Sequence, residues 1–253
     1  MRMHALSGGR LRLKRRIYFP DAASEETIEV PVASFLIRHA QANVLFDTGC
    51  HPAVFGDGEA RWGGLAKVMQ PIGGQADNVI DGLRSIGITP DDIDVVACSH
   101  LHPDHCGCNA FFTRATVVCH AREIEAARAP GAERAGYLAA EWDHPQPFEA
   151  IERERDLFDD GRIVLIPLPG HTPGTIGALV DLDHSGCFLI ASDAVSLRAN
   201  LDRDLVPRNT WNAELLRRSF AEIRRIEANG ATVICGHDEG QWQSLRKGAD
   251  AYE

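Results

Sequence analysis

The stretch Ser99-His100-Leu101-His102-Pro103-Asp104-His105-Cys106-Gly107 decides the fold of this chain. It places four potential metal ligands within six positions, directly after the apolar run Ile93–Cys98, which predicts a strand that ends in a loop. Three imidazoles and a carboxylate at a strand end resist burial unless a cation holds them together. The spacing favours two ions, the first two histidines serving one ion, and the aspartate and third histidine serving another beside it.

Composition and charge narrow the classes of function. With 253 residues, of which 44% are apolar, the chain has ample material for a core, and we predict a single domain spanning residues 1–253. The formal net charge of −10 argues against a nucleic-acid substrate, because phosphate binding relies on clustered Lys and Arg. The basic cluster Arg10–Arg16 begins with alternating charged and apolar side chains, which favours an edge strand over a phosphate or membrane patch.

The sequence also bears on compartment and redox state. We expect no membrane span, and Met1–Phe19 lacks the apolar segment of a secretion signal, so the expected location is cytoplasmic. The seven cysteines do not resemble a disulfide framework and are predicted to be free, mostly buried thiols. Cys106 and Cys108 flank the motif, and metal ligation by them stays an alternative to a set of His and Asp ligands alone.

The first half of the chain is predicted to be rich in strands. Three strand-like runs precede a Gly-rich segment, which we expect to be a long loop of the kind that often forms a lid or binding loop. A helical stripe of apolar residues then leads to the strand that ends at the motif. The predicted elements are strands at Arg10–Phe19, Val32–Arg38 and Asn43–Asp47, a loop over His51–Gln75, and a helix over Gln75–Ile86.

The second half repeats this mixture of strands and helices. Strands are predicted at Ala115–His120, Arg162–Leu168, Thr175–Asp181, Cys187–Ala191 and Thr232–Cys235, with helices at Ala121–Ala129 and from the N-cap Asn212 to Asn229. The two halves together predict an α/β fold, a four-layer αββα sandwich in which two mixed sheets pack face to face and helices cover the outer faces.

Four further candidate side chains follow predicted strands, so loops at one edge of the sheets would bring them near the motif. His171 lies in the turn Pro169–Gly174, whose two prolines and two glycines restrict the backbone around a single imidazole. Asp193 ends a run apolar enough to be buried, where an unpaired carboxylate is costly and a metal would compensate it. The four are Asp47, His171, Asp193 and His237, and Gly236 lets the backbone come close to the centre.

These residues supply enough ligands for two metal ions, which we expect to be Zn²⁺. Three histidines are assigned to one ion, an aspartate and two histidines to the other, and a last aspartate bridges them: His100, His102 and His171; Asp104, His105 and His237; and Asp193. In paired sites the ions stand about 3.5–4 Å apart, and zinc makes a hydroxide available at neutral pH. His and Asp ligands also accept iron, manganese or cobalt. The set predicts a hydrolase.

The ligand pattern resembles that of the metallo-β-lactamase superfamily. The resemblance rests on His100-x-His102-x-Asp104-His105, followed in order by the three later ligands, and it spans most of the chain. The chain is most similar to the N-acyl-homoserine lactonases and 4-pyridoxolactonase, through its length, the Asp-Thr-Gly at 47–49, and Ser-His-x-His-x-Asp-His-Cys-Gly-x-Asn at 99–109. The superfamily pattern specifies the fold well but the substrate poorly, because its members hydrolyse several kinds of bond.

The resemblance implies a dinuclear zinc lactonase that opens N-acyl-homoserine lactones and so quenches quorum sensing. In this interpretation a metal-bridging hydroxide attacks the carbonyl carbon, one zinc polarises the carbonyl oxygen, and the other stabilises the leaving alkoxide. Asp104 is the expected catalytic proton shuttle. The expected partner is a small-molecule lactone, without nucleic acid or membrane, and a homodimer is compatible with the sequence.

One position departs from the lactonase pattern. In those enzymes a tyrosine three residues after the bridging aspartate helps to polarise the carbonyl, whereas Ser196 stands here and no tyrosine lies nearby in the sequence. Either the metals act alone, or Ser196, Tyr137 or His144 substitutes, or the substrate differs. The segments 51–75 and 131–156 are expected to decide the choice of substrate.

Other hydrolytic substrates and a non-enzymatic role stay open as alternatives. A glyoxalase-II-like thioesterase usually carries a further C-terminal helical region, and sixteen residues follow His237 here. Phosphotriesters suit the same kind of site. A metal-binding scaffold protein is the non-enzymatic alternative, although a complete ligand set argues against a decayed site.

Overall fold

The computed structural model describes all 253 residues, which form two sheets covered by helices. The twelve strands are β1 (Arg2–Lys14), β2 (Thr27–Arg38), β3 (Asn43–Phe46), β4 (Gln70–Ile72), β5 (Val95–Ala97), β6 (Thr116–His120), β7 (Phe148–Ile151), β8 (Arg155–Asp156), β9 (Ile163–Pro167), β10 (Ile176–Leu182), β11 (Gly186–Ser192) and β12 (Thr232–Cys235). The eight α-helices are α1 (Gly58–Trp62), α2 (Val79–Ser85), α3 (Pro103–Cys106), α4 (Ala121–Arg128), α5 (Ala139–Trp142), α6 (Arg198–Asp202), α7 (Ala213–Ala228) and α8 (Glu239–Ser244). Short 3₁₀ helices lie at Arg15–Ile17, Pro52–Phe55, Gly63–Lys67, Pro90–Asp92, Asn109–Phe111, Ala132–Ala135 and Asp193–Val195.

Both sheets are mixed, as predicted. The larger sheet has the strand order β4-β1-β2-β3-β5-β6-β7, with antiparallel pairing from β4 to β3 and parallel pairing from β3 to β7. The smaller sheet has the order β12-β11-β10-β9-β8, in which only β11 and β12 pair in parallel.

Both faces of each sheet are buried, because each sheet lies between the other sheet and a layer of helices. In β2, Phe35 and Ile37 join the apolar cluster between the two sheets, whereas Leu36 points the opposite way and packs with the helices α2, α4 and α5. The outer face of the smaller sheet is covered by α7 through Leu216, Phe220 and Ile223. This order of layers confirms the predicted αββα sandwich.

The prediction for the N-terminal strand and the following long loop is partly wrong. β1 starts at Arg2 and ends at Lys14, and it is not an edge strand, because β4 pairs with Arg10–Arg12. The segment His51–Gln75 is not a structureless loop but contains α1, β4 and two 3₁₀ helices. Its apolar residues, including Trp62, pack in a buried cluster with β1 and β2, and this burial stabilises short elements that the local sequence does not predict.

The helix boundaries follow capping residues. Asn212 accepts a hydrogen bond from the Leu215 N–H at 3.0 Å and so begins α7, as predicted. The helix predicted over Gln75–Ile86 is shorter, because Asn78 caps α2 and starts it at Val79. No helix is both long enough and apolar enough to cross a bilayer.

Strand direction places the candidate ligands on one edge of the sandwich. The strands β3 and β5 are parallel and end just before Asp47 and Ser99, respectively. In the smaller sheet β9, β11 and β12 run in one direction, and the chain after them carries His171, Asp193 and His237. The carboxyl ends of parallel strands meet at one edge, which is where ligands commonly bind in such sheets.

Candidate metal centre

The structure brings all seven predicted ligand side chains together at this edge. Six of the seven are buried and His102 is half-buried. Their ligand atoms form three groups, within each of which the atoms lie within 4.8 Å of one another: His100, His102 and His171; Asp104, His105 and His237; and His100, His105 and Asp193. The first two groups are the two sets assigned to separate ions from the sequence.

Three imidazole nitrogens of the first group face one another. The Nδ1 atom of His102 lies 3.1 Å from Nε2 of His100 and 3.1 Å from Nε2 of His171. The Nε2–H of His102 donates to the carbonyl oxygen of Ala135 at 2.9 Å, so its Nδ1 carries a lone pair. Two nitrogens on one tetrahedral zinc, each about 2.0–2.1 Å from it, lie roughly 3.3 Å apart. The spacing of this group therefore fits a metal ion.

The second group combines one carboxylate with two imidazoles. Asp104 Oδ2 lies 3.5 Å from His105 Nε2 and 3.7 Å from His237 Nε2. The opposite ring nitrogens are already hydrogen-bonded, since His105 Nδ1 contacts Asp47 at 2.8 Å and His237 Nδ1 donates to the Pro31 carbonyl at 2.9 Å. Both Nε2 atoms are thus turned toward Asp104, as metal-ligating histidines require.

Asp193 lies between the two groups. Its Oδ2 is 3.3 Å from His171 Nε2, and its Oδ1 is 3.0 Å from His237 Nε2. Asp193 Oδ1 and His105 Nε2 are both buried, and neither makes a hydrogen bond. Buried polar atoms that lack partners among carboxylates and imidazoles are what a divalent cation would satisfy. The donor chemistry thus fits a divalent metal centre.

Gly236 makes room for the Asp193 carboxylate. A Cβ atom at position 236 would lie 2.5 Å from Asp193 Oδ1 and 2.9 Å from the carbonyl carbon of Ser192. Gly236 is predicted to let the backbone come close to the centre, and the group that the backbone approaches is the Asp193 carboxylate.

Asp47 belongs to none of the three groups but makes hydrogen bonds to residues that carry or orient the candidate ligands. Its carboxylate accepts hydrogen bonds from the Ser99 N–H and Oγ–H, both at 2.7 Å, as well as contacting His105. Ser99 Oγ in turn lies 3.0 Å from His100 Nδ1. Asp47 thereby orients one imidazole of each three-ligand group, a role that fixes tautomer and ring orientation.

The histidines differ in their affinity for protons. Burial lowers the pKa of His105, but the Asp104 and Asp47 carboxylates outweigh it and raise the pKa to about 10. Burial lowers the pKa of His171 to about 3 despite Asp193, and burial and the neighbouring imidazoles lower that of His100. His100 and His171 consequently offer neutral nitrogens, whereas His105 must release a proton to become a ligand.

Glu123 of α4 joins the two loops that carry the three-histidine group. Its fully buried carboxylate accepts hydrogen bonds from Leu101 N at 3.0 Å, Thr172 Oγ1 at 2.6 Å and Gly174 N at 3.0 Å. Leu101 lies between the first two histidines of the motif, and Thr172 follows the third histidine of the group. One buried carboxylate therefore holds both loops in register.

A cavity of about 600 Å³ opens above the centre. Four segments supply its apolar wall, namely the end of β1 with the 3₁₀ helix that follows it, the 3₁₀ helix after α1, the chain around 126–137, and the chain before α7. The wall includes Leu65, Val68, Met69, Ala132, Ala135 and Trp211, and the floor includes His102, Asp104, His171, Asp193 and His237. Parts of both segments expected to decide the substrate, 51–75 and 131–156, thus line the cavity.

Comparison with known proteins identifies the family. The model of the family described as "Metallo-beta-lactamase superfamily" matches residues 27–237. The chain belongs to the metallo-beta-lactamase superfamily. N-acyl homoserine lactonase AttM of Azorhizobium caulinodans is 30% identical over 100% of this chain and 99% of its own length. N-acyl homoserine lactonase AiiB of Agrobacterium fabrum is 33% identical over 90% of this chain and 87% of its own length.

Solved structures share the fold of this superfamily member. One is described as an N-acyl homoserine lactone hydrolase with the product N-hexanoyl-L-homoserine bound at the catalytic metal centre. It has a TM-score of 0.90 and 22% identity, and the match covers 99% of this chain and 98% of that one. AidC, described as a dizinc quorum-quenching lactonase, has a TM-score of 0.70 and 15% identity over 94% and 87% of the two chains. These likenesses confirm the predicted metallo-β-lactamase fold.

None of the three residues considered as substitutes for the lactonase tyrosine presents its polar side-chain atom to the cavity. Protein atoms enclose the hydroxyls of Ser196 and Tyr137 and the Nε2 atom of His144. Of these three residues, only Tyr137 lines the cavity. The prediction that no tyrosine lies nearby is correct for the sequence around Ser196 but wrong for the folded chain. Tyr18 lines the cavity together with Asp104, Asp193 and His237, a contact between distant parts of the sequence that no motif signals.

The cysteines near the motif do not face the metal centre. Cys106 Sγ donates to the carbonyl of His102 at 3.1 Å, and Cys108 Sγ donates to that of Cys50 at 3.2 Å. All seven cysteines are free and six are buried, as predicted. The candidate ligand set of this superfamily member therefore consists of His and Asp residues.

Proposed function

We propose that this chain is a metal-dependent lactonase that hydrolyses the ring ester of N-acyl-homoserine lactones. The observation that carries the proposal is the pair of three-ligand groups joined by Asp193 at the floor of a partly apolar cavity. Membership of the superfamily and full-length similarity to proteins named N-acyl homoserine lactonases support the same reaction. We assign the activity to one domain, residues 1–253.

Two Zn²⁺ ions are the proposed cofactor. The three-histidine group would hold one ion, the group of Asp104, His105 and His237 the other, and Asp193 would contact both. When bound, such ions supply Lewis-acid polarisation of the ester carbonyl and a water activated at neutral pH. The described dizinc centre of AidC supports zinc, and metal analysis of the purified protein would decide between zinc and iron, manganese or cobalt.

The residues of the chain handle the proton and exclude water. Asp104 lines the cavity with its side chain 5% exposed, close to the other acidic side chain of the floor. We propose that its carboxylate takes the proton released during attack and passes it to the leaving ring oxygen, which becomes a hydroxyl. The partly apolar wall restricts solvent around this transfer.

The cavity suits an amphiphilic substrate. Leu65, Val68 and Met69 offer apolar contact to an acyl chain, while the floor is polar and charged. Burial of each methylene contributes about 0.8 kcal/mol, so a chain of several carbons would add appreciably to binding. A lactone ring at the floor with its acyl chain along the wall satisfies both surfaces.

The experiment is a hydrolysis panel on the purified, metal-analysed protein. The panel contains short- and long-chain N-acyl-homoserine lactones, aromatic lactones, thioesters and phosphotriesters. Hydrolysis of each substrate is measured by the acid that it releases at constant pH. We expect ring opening of the acyl-homoserine lactones, abolished by chelation and restored by zinc. Failure on every lactone by fully metal-loaded protein would refute the proposed function.

A further inference from the structure

Tyr18 places a phenol in the cavity beside the candidate metal centre. It follows the 3₁₀ helix Arg15–Ile17 at the end of β1, is 2% exposed, and lines the same cavity as Asp104 and Asp193. The centroid of its ring lies 6.3 Å from that of His237. The side chain is thus buried beside the group that contains Asp104 and His237.

The Tyr18 hydroxyl has no hydrogen-bond partner in the chain, although the backbone of the residue is fully bonded. Its N–H donates to the Arg15 carbonyl at 3.1 Å, and its carbonyl accepts from Asn200 Nδ2 at 2.9 Å. The hydroxyl is not among the polar atoms enclosed by protein, so it opens to the cavity, and a hydroxyl without a partner at the end of an otherwise buried side chain calls for a physical reason. A ligand in the cavity that accepts a hydrogen bond would supply one.

The position of Tyr18 is fixed by contacts with the segment that follows Asp193. Asn200, which is fully buried, accepts from Leu197 N at 3.0 Å through Oδ1 while its Nδ2 binds the Tyr18 carbonyl. The neighbouring Ile17 carbonyl accepts from Arg208 N at 2.7 Å. These contacts fix the backbone from which the Tyr18 side chain extends. A fixed position is the condition for an effective hydrogen-bond donor at a reacting centre.

Other hydroxyls near the cavity are turned away from it. The oxygens of Tyr137, Ser196 and Thr210 are enclosed by protein atoms. Burial, Asp193 and Asp104 raise the pKa of Tyr18 well above its usual value, so the phenol keeps its proton. A neutral O–H in this position can donate to a ligand oxygen and cannot act as an anion.

We propose that Tyr18 is a catalytic residue that donates a hydrogen bond from its hydroxyl to the carbonyl oxygen of the substrate. The inference rests on the proposed ester hydrolysis, in which negative charge develops on that oxygen as the carbonyl carbon is attacked. No proton is transferred from Tyr18. The donor comes from the N-terminal segment and acts on a centre whose candidate ligands all lie between residues 100 and 237.

The first test compares Tyr18→Phe with Tyr252→Phe, which removes the same hydroxyl far from the cavity. Removing one preorganised donor to a developing oxyanion lowers kcat by about 10²-fold or more. We expect a loss of this order in Tyr18→Phe, with an unchanged content of zinc and a small change in KM, and wild-type kcat in Tyr252→Phe. Wild-type kcat in Tyr18→Phe, or a loss confined to Tyr137→Phe, would overturn the proposal.

The second test does not depend on turnover. A non-hydrolysable γ-lactam analogue of the substrate, labelled with ¹³C at the ring carbonyl, is bound to zinc-loaded protein and its carbonyl stretch is measured by infrared difference spectroscopy. We expect a lower frequency in the wild type than in Tyr18→Phe. Equal frequencies, or no binding of the lactam, would overturn the role of Tyr18, whereas lactone inactivity of the wild type with a Tyr18-dependent shift would refute only the proposed reaction.

Discussion

At the scale of single residues, Asp104 and Asp193 have different surroundings despite their shared place at the floor of the cavity. Asp193 has an imidazole close to each of its oxygens, at 3.3 Å and 3.0 Å. Asp104 has longer contacts, at 3.5 Å and 3.7 Å, and both are made by Oδ2 alone. We therefore keep bridging as the proposed role of Asp193 and proton transfer as the proposed role of Asp104.

Replacing Asp104 with Asn tests the proton transfer. The amide cannot take up a proton, so we expect kcat to fall by about 10²-fold or more even in protein that retains both metal ions. Turnover is measured alongside metal content, with the exposed Asp91→Asn as the matched control. Unchanged turnover in Asp104→Asn would refute the proton shuttle.

Replacing Gly236 with Ala tests the bridging position of Asp193. The new methyl group would meet Asp193 Oδ1 at 2.5 Å and push the carboxylate away from both candidate ions. Disturbing a partner of a metal site weakens metal affinity by about 10–100-fold, and we expect a loss of this size in chelator competition. Gly240→Ala is the control, because its Cβ meets only Asp238 Oδ1 at an ordinary 3.5 Å; equal affinities in the two variants would contradict the assignment.

At the scale of elements, α4 is coupled to the metal centre through a single side chain. Glu123→Gln replaces a carboxylate that accepts three hydrogen bonds with an amide whose NH₂ faces donors. We expect the ion of the three-histidine group to be lost first, with affinity lowered by about 10–100-fold, while the group containing Asp104 keeps its ion.

The control for this variant is Glu125→Gln, on the exposed side of the same helix. Zinc is titrated against a competing chelator, and the unequal loss of two ions is the expected signature. Loss of both ions together, or of neither, would show that Glu123 stabilises the helix without positioning the loops.

Elements were predictable where their signals are local. Asn212 caps α7 within one turn of chain, and α7 and β3 lie close to their predicted bounds. β2 ends at the predicted Arg38 but begins at Thr27, five residues before the predicted Val32, where it pairs with β1. β4 is three residues long and is stabilised by pairing with Arg10–Arg12, about sixty positions earlier, so nothing local announces it. The expected edge strand was wrong for the same reason.

At the scale of the whole molecule, the ligand set was predictable because it follows strand ends, whereas its surroundings were not. The fold brings the seven side chains together, and their ligation of metal stays a prediction. Glu123 and Tyr18 were missed because each contacts residues far away in sequence. The sequence of α4 does not indicate that Glu123 will contact two distant loops, and the sequence after β1 does not indicate that Tyr18 will line the cavity.

Protonation of the centre predicts how metal uptake depends on pH. The pKa of His105 is raised to about 10, so this residue is protonated at neutral pH before metal binds and must release its proton to become a ligand. We expect zinc binding to release protons near pH 7.5 and apparent affinity to increase from pH 6.5 to 8.5. Calorimetric titration in two buffers of different ionisation enthalpy measures the release; identical enthalpies would contradict it.

The two sides of the cavity wall differ in how freely they can change over evolution. The side formed by Leu65, Val68 and Met69 carries no candidate ligand. On the other side, the Ala135 carbonyl accepts a hydrogen bond from His102, and a Cβ atom added at Gly136 would lie 3.1 Å from the His102 ring. Substitutions on the first side can alter the preferred acyl chain while leaving the metals in place. The second side contacts a candidate ligand, so we expect changes in substrate range to come from substitutions in the 65–69 segment.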